Sequence, residues 1–327
     1  MNKYTTDASA LTRPDSTRPD STQPDSQVIG PVCVDVNVDA EGAVSRVVGG
    51  AVICAAAAAA ALGHRVEAVA SVADRDQGLL SHFPDAVERV VPVPSMRTSS
   101  IRNVYTTSDR ERRTSSALSR ADPIDPTDIP ASAAPVQHLA GLMVGDYAPG
   151  IVEELSSRGD LAVDMQGFLR EPDPDSGLLD LRQFNAGREF YRRIRFLKVD
   201  TAEGEHLTGC TDRYEMARAL RDRGAREVMV SNAREILVVD DEGAHVCPLR
   251  PRSLAGRTGR GDTVFSAYIT ERIRRGVDQA LLTACATVSL KMETAGPLVC
   301  ERTDIDNYLA RFYADLLDTR EGGNHGQ

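Results

Sequence analysis

From residue 138 onward the chain alternates short β-branched or apolar runs with longer amphipathic stretches, and this alternation restricts the fold more than any other feature. Strands are predicted at His138–Val144, Leu161–Asp164, Ile194–Val199, Glu227–Val230 and Ile236–Val239. Helices are predicted near Gly150–Ser157, Asp212–Arg223, Asp262–Arg275, Asp278–Glu293 and Asp304–Leu317. Strands joined by helical crossovers lie parallel, so the pattern predicts a three-layer αβα, Rossmann-like fold built on a mostly parallel sheet. Ligands of such sheets sit beyond the carboxyl ends of the strands.

Upstream, Gln27–Val36 is a β-branched run of the kind buried in a sheet, and Val66–Val72 is a second. Between them Gly49-Gly50 opens a helix through seven consecutive alanines, Ala55–Ala61, closed by Leu62 and Gly63. Val90–Pro94 and Ile101–Thr107 alternate polar and apolar residues and predict strands with one wet face. The alternation near Val36–Val48 and Val93–Arg113 predicts a small β-lid on the main domain.

The first 27 residues differ in kind. Thr12-Arg13-Pro14-Asp15-Ser16 recurs at Thr17–Ser21 and, with Gln23 for Arg, at Thr22–Ser26. A Pro and an Asp in each copy neither bury apolar area nor continue a helix, so residues 1–27 are expected to form a disordered tail. The folded domain is expected over 28–318, with a second disordered tail at 319–327.

The net charge of −10 argues against a nucleic-acid partner, which needs a basic surface. No apolar run reaches the ~20 residues of a membrane span, and Ala51–Leu62 lacks the basic lead of a signal peptide. The six cysteines form no CxxC and flank no histidine at zinc spacing, which predicts a reduced, cytoplasmic protein.

The chemistry concentrates at Gly259-Arg260-Gly261-Asp262 and the apolar helix that follows. Glycines allow a tight turn with bare N–H groups, and a helix N-terminus adds unpaired donors and partial positive charge. Together they suit a phosphate in transfer, with Asp262 placed to take a proton from a hydroxyl facing it. Standing alone, the segment reads equally well as an N-cap aspartate after a glycine turn.

Further marks make the reading specific. Gly259-x-Gly261-Asp262 resembles the C-terminal signature of ribokinase-like (PfkB-type) carbohydrate kinases, and other marks of that family follow in order over residues 28–300. They are Gly30 with Asp35, Gly49-Gly50, Val72–Gly78, Asp146-Tyr147-Ala148-Pro149-Gly150, and Lys198-Val199-Asp200-Thr201-Ala202-Glu203. The resemblance implies Asp262 as catalytic base, Gly259, Arg260 and Gly261 as anion hole, and Asp35, Gly49 and Gly50 as substrate contacts. It implies Asp200, Glu203 and Ser231 beside the donor, which would be ATP with Mg²⁺ held by Glu203 through water. Asp164-Met165-Gln166-Gly167-Phe168-Leu169-Arg170 resembles a segment of a subgroup near the myo-inositol kinases, implying Asp164, Gln166 and Arg170 at the substrate. The acceptor would be a small polyol, sugar or nucleoside, and a homodimer through the lid is a further expectation. Several positions depart from the pattern. Arg260 replaces a small residue, Cys54 an asparagine, and Ser231-Asn232-Ala233-Arg234 a glycine-rich nucleotide turn. The rival expectation is a catalytically weak binding or regulatory protein on the same fold. A nicotinamide enzyme is excluded because no G-x-G-x-x-G follows the first strand, and a P-loop kinase because no Walker lysine motif occurs.

Overall fold

The computed structural model describes residues 23–106 and 113–321. Strand β1 (Ser26–Pro31) runs through the centre and continues past Val32 as β2 (Cys33–Val38), which returns as β3 (Val44–Gly49). Helix α1 (Ala51–Ala61) leads to β4 (Val66–Ala73) and β5 (Arg89–Ser95), then to β6 (Ser99–Tyr105) and β7 (Arg113–Ser119). The chain re-enters the centre at β8 (Val136–Leu139), followed by α2 (Ile151–Arg158), β9 (Asp160–Asp164) and the short α3 (Gln166–Leu169). A small hairpin of β10 (Arg170–Pro172) and β11 (Leu179–Leu181) precedes α4 (Arg188–Arg192) and β12 (Ile194–Asp200). Then come α5 (Thr201–Thr208), α6 (Arg213–Arg223), β13 (Glu227–Ser231), β14 (Glu235–Val239) and β15 (Ala244–Pro248). Four helices end the chain: α7 (Arg260–Glu271), α8 (Val277–Lys291), α9 (Arg302–Phe312) and α10 (Ala314–Glu321).

The large sheet has the order β15-β14-β13-β12-β9-β8-β1-β4-β5. Pairs from β5 to β13 are parallel, and the last two pairs are antiparallel. Because side chains alternate across a strand, successive residues feed opposite cores. Phe196 and Met229 pack toward α7 and α8, whereas Leu197, Val228 and Val230 pack toward α2 and α6. Strand order reverses between β4 and β8 around β1, and the crevice this opens is where ligands of such sheets bind.

Helix α1 is buried along its whole length. Alanine is the best helix former and leaves no bulk, so α1 lies flush against α7, and Ser266 Oγ donates to the main-chain oxygen of Ala55 at 2.7 Å. The N-termini of both helices are thereby brought to one end of the sheet.

A second sheet, β3-β2-β6-β7, stands off the first as the lid. Its composition corrects the expected segments. Val93–Ser95 belong to β5, the edge strand of the large sheet, and not to the lid. Residues 107–112 of the second expected segment lie outside the described residues, and β7, not predicted, supplies the fourth lid strand. Of the tail expected over 1–27, residues 1–22 lie outside the described residues, but Asp25 and Ser26 are buried and Ser26 starts β1. Asp25 accepts from Arg65 N at 2.9 Å and pairs with Arg274 at 3.3 Å, so the last repeat copy ends inside the fold. The helix predicted over Asp304–Leu317 is two helices meeting at Tyr313, whose hydroxyl donates to Pro248 O. Residues 322–327 of the expected C-terminal tail are outside the described residues.

Candidate active site

The crevice at the carboxyl end of the sheet is a cavity of about 570 Å³ roofed by the lid. Its floor is the start of α7. This helix begins at Arg260, two residues earlier than predicted, and its N-cap is Gly259 in the left-handed region (φ 80°), without a side-chain cap bond. Asp262 is therefore the third helical residue and not the N-cap, which removes the plain capping reading. The first helical bond runs from Thr263 N to Gly259 O at 3.0 Å, so the helix provides no carbonyl for the N–H groups of Gly261 and Asp262.

A side chain at either glycine would crowd its neighbours. At Gly259 a Cβ would lie 2.6 Å from Cys54 Sγ of α1, in a backbone conformation that side chains disfavour. At Gly261 it would lie 3.0 Å from Lys198 Nζ. Lys198 thus sits directly behind the Gly259–Gly261 turn, and its ammonium is pinned to Asp164 at 2.9 and 3.1 Å. Burial works against the Lys198 charge, but Asp164, Glu203, Asp200 and Asp262 outweigh it and raise the ammonium pKa. Burial also pushes the Asp262 carboxyl above the usual carboxylate range, with Asp164 adding and Lys198, Arg170 and Lys291 opposing.

Asp200 and Glu203 form a capping box at the start of α5: Glu203 N donates to Asp200 Oδ1 at 2.9 Å and Asp200 N to Glu203 Oε2 at 2.8 Å. Glu203 Oε1 is buried without a hydrogen bond, 3.5 Å from Arg170 Nη2. Burial raises this carboxyl to about 7 against the pull of Lys198. Arg170 also approaches Asp200 at 4.0 Å, and Ser231 lines the same end of the cavity.

At the other end stand Gly49 and Gly50, which closes β3 onto α1, and Asp35 of β2. Cys33 Sγ donates to Asp35 Oδ1 at 3.3 Å, and burial raises the Asp35 carboxyl. Gln166 lines the cavity and donates from Nε2 to Gly141 O at 3.2 Å. Of the residues expected at the site, Asp164 and the buried Glu203 are absent from the cavity wall, and Glu203 stands behind Asp200 and Arg170. The Asp164 carboxylate lies behind the wall as the Lys198 partner, which corrects its expected substrate contact.

Besides Asp35, the lid adds a set that the sequence reading left out. Residues two apart on a strand share a face, so Asp35 and Asn37 of β2, Ile101, Asn103 and Tyr105 of β6, and Arg113 and Ser115 of β7 all look into the cavity. Register places Asn37 beside Asn103 and Asn103 beside Ser115. Asn103 Nδ2 donates to Asn37 Oδ1 at 3.1 Å, and Ser115 Oγ donates to Asn103 Oδ1 at 2.7 Å. The available signal was the polar alternation of Val34-Asp35-Val36-Asn37-Val38; the cross-strand register was not visible.

No helix among the described residues is long and apolar enough to cross a membrane, and all six cysteines are free. Among the described residues no cluster of three His, Cys, Asp or Glu side chains suits a metal.

Comparison with known proteins gives three findings. The profile of pfkB family carbohydrate kinases matches residues 25–304. No curated protein sequence matches the chain. Among solved structures, the chain is similar to a pyrophosphate-dependent kinase in the ribokinase family, complexed with a pyrophosphate analog and myo-inositol. The two share 30% identity over 86% of this chain and 99% of that one, with a TM-score of 0.79. Similar too, at 29% identity over 87% and 98% and a TM-score of 0.78, is a pyrophosphate-dependent myo-inositol-1 kinase converted into a myo-inositol-3 kinase by one Asn-to-Leu and one Ser-to-Leu substitution. The ribokinase of Arabidopsis thaliana shares the fold at 15% identity over 88% and 99%, with a TM-score of 0.67.

Proposed function

Since the chain belongs to the pfkB family of carbohydrate kinases and phosphorylates a small polyol or sugar, we propose that its acceptor is an inositol-type polyol, its donor inorganic pyrophosphate and its base Asp262. The observation that carries this reading is the position of Asp262, third in α7, where a carboxyl and the open end of a helix face one cavity.

The acceptor lies under the lid. Asp35 and the Asn37–Asn103–Ser115 ladder put a carboxyl, two amides and a hydroxyl on the lid face of the cavity, groups suited to the hydroxyls of a polyol ring. The Asn and Ser types whose exchange redirects the similar myo-inositol kinase are the two that meet above this cavity. Asp262 accepts the proton of the hydroxyl that faces the donor. Its raised pKa brings it closer to the pH of the reaction than an ordinary carboxylate. The N–H groups of the α7 start and the Lys198 charge behind Gly261 meet the negative charge that spreads over the transferred phosphoryl group. Lid closure excludes water, the competing acceptor.

Pyrophosphate is favoured over ATP, the donor expected from the sequence, by the wall it would meet. Arg170, Lys198, Arg257 and Arg260 all line that part of the cavity. The turn where a nucleotide loop was expected is a tight hairpin, closed by Asn232 Oδ1 accepting from Arg234 N and Glu235 N. Magnesium fits through Glu203 Oε1, which has an ion pair with Arg170 but no hydrogen bond, with Asp200 beside it, since this ion keeps most of its waters and needs only one or two carboxylates. When bound it would neutralise charge on the anhydride.

The test is turnover of a panel of inositols, ketoses, aldoses and nucleosides with pyrophosphate or ATP, read by ³¹P NMR. Inositol phosphate formed with pyrophosphate faster than with ATP is expected. ATP-dependent turnover alone would sink the donor proposal, and full activity in excess EDTA would sink the magnesium assignment.

A further inference from the structure

Lys291 ends α8 and is completely buried, yet the partners of its ammonium are carbonyl oxygens. Nζ donates to Gly256 O at 2.6 Å and to Thr258 O, both in the loop that leads into the anion hole. The same loop is clamped to the end of α8 through its main chain: Gly256 N donates to Met292 O at 2.8 Å. Gly256 has no room for a side chain, because a Cβ would lie 1.7 Å from Thr294 O. The loop therefore lies flush on the helix end, with one charge buried beneath it. That charge is costly without a purpose. Burial lowers the Lys291 pKa, Cys54 of α1 and Asp262 of α7 act to raise it, and Arg260 of α7 opposes them.

We propose that Lys291 is a positioning residue for phosphoryl transfer, a tethered cation that sets the direction of the peptides forming the anion hole. In a trans peptide the C=O and N–H point in opposite directions. With Thr258 O turned onto the ammonium, the N–H of the Thr258–Gly259 peptide is turned away from it. Lys291 Nζ lies 3.8 Å from where a Gly259 Cβ would be, so it governs the residue that caps α7. Loss of this hold lets the loop move by the ångström or so that costs about 10²-fold in rate. The C-terminal end of α8, partially negative, favours the same cation.

The inference rests on the kinase reading, so its test carries a binding arm as well as a turnover arm. Lys291→Met keeps the length of the side chain and removes its donors. The expected result is a kcat lower by ~10²-fold, a myo-inositol KM within a few-fold of wild type, and inorganic pyrophosphate bound more weakly by calorimetry. Lys291→Ala leaves a pocket walled by carbonyls. Ammonium or methylammonium is expected to restore its turnover in a saturable way at a temperature where the amine-free variant is already fully folded, which a purely structural lysine would not allow. Lys291→Met turning over at near wild-type rate, or a folded Lys291→Ala indifferent to both amines, would overturn the proposal. A wild-type protein inert with every acceptor sinks the kinase reading; if its pyrophosphate affinity still falls in Lys291→Met, the positioning role stands. Absence of pyrophosphate binding by an inert wild type would sink both.

Discussion

Asp262, the proposed base, holds a position whose structural role is slight. As third residue of α7, with Gly259 as cap, it makes no capping bond that asparagine would lose. The lost negative charge near a helix start is worth about 0.3–1 kcal/mol. Against that, Asp262→Asn also removes a carboxyl that burial disfavours. The melting temperature should therefore stay within a few degrees, while kcat falls roughly 10²–10⁴-fold because the amide accepts no proton. Turnover near the wild-type rate would end the assignment of the base. Asp35→Asn is expected to raise the acceptor KM more than it lowers kcat, since hydroxyl binding is shared by ground and transition states. Steady-state kinetics on both variants separate chemistry from recognition. These positions were legible because Gly259–Asp262 is a local signal, with turn, helix start and carboxyl inside four residues. The pairing of Lys198, a residue already inside a family mark, and the whole role of Lys291 were not, because what distinguishes them is what lies opposite, in residues 164 and 256–258.

At the scale of elements, the proposed function gives the lid the choice of which hydroxyl meets the donor. The Asn37–Asn103–Ser115 ladder spans three strands and is held by its own hydrogen bonds, so a leucine in it removes polar groups on the acceptor side alone. Asn103→Leu with Ser115→Leu is expected to change the phosphorylated position or to raise the myo-inositol KM about 10-fold, the worth of one or two hydrogen bonds. The pyrophosphate KM should be unchanged. NMR of the product reads the regiochemistry, and an unaltered product with unaltered KM would show that the ladder does not touch the acceptor. Why the lid was only half legible has a physical cause. Polar–apolar alternation marks a strand with one wet face, but lid strands and edge strands share it. Strand β5 carries Pro92 and Pro94, which an edge strand tolerates, and its last three residues were taken for lid although they pair with β4. Strand β7, Arg113–Ser119, has no Val or Ile and one Thr, so propensity gave no sign of it. The core strands were legible because burial on both faces leaves β-branched runs such as Val228-Met229-Val230.

The whole molecule spends stability on the site, and the sign of its pH dependence follows. Peripheral carboxylates are held low: the Arg252 hydrogen bond brings Glu293 to about 2. Such groups contribute stability that is present above their unfolded pKa and fades as pH falls toward the folded one. The site carboxylates run the other way. Asp35, Asp262 and Glu203 are all raised by burial, so folding takes up protons there and stability falls as pH rises between the unfolded and folded values. For Glu203, with a folded pKa of about 7 against an ordinary 4.5, the loss builds between those values and is complete above the upper one. Glu203→Gln isolates it, since the amide oxygen still accepts from Asp200 N and the capping box tolerates glutamine. Measured by denaturant unfolding, the variant should gain on wild type between pH 5 and pH 8 by on the order of 2–3 kcal/mol. Its turnover should fall if Glu203 carries magnesium. Stability curves of wild type and variant that run parallel from pH 5 to pH 8 would mean that Glu203 is not a strained carboxylate.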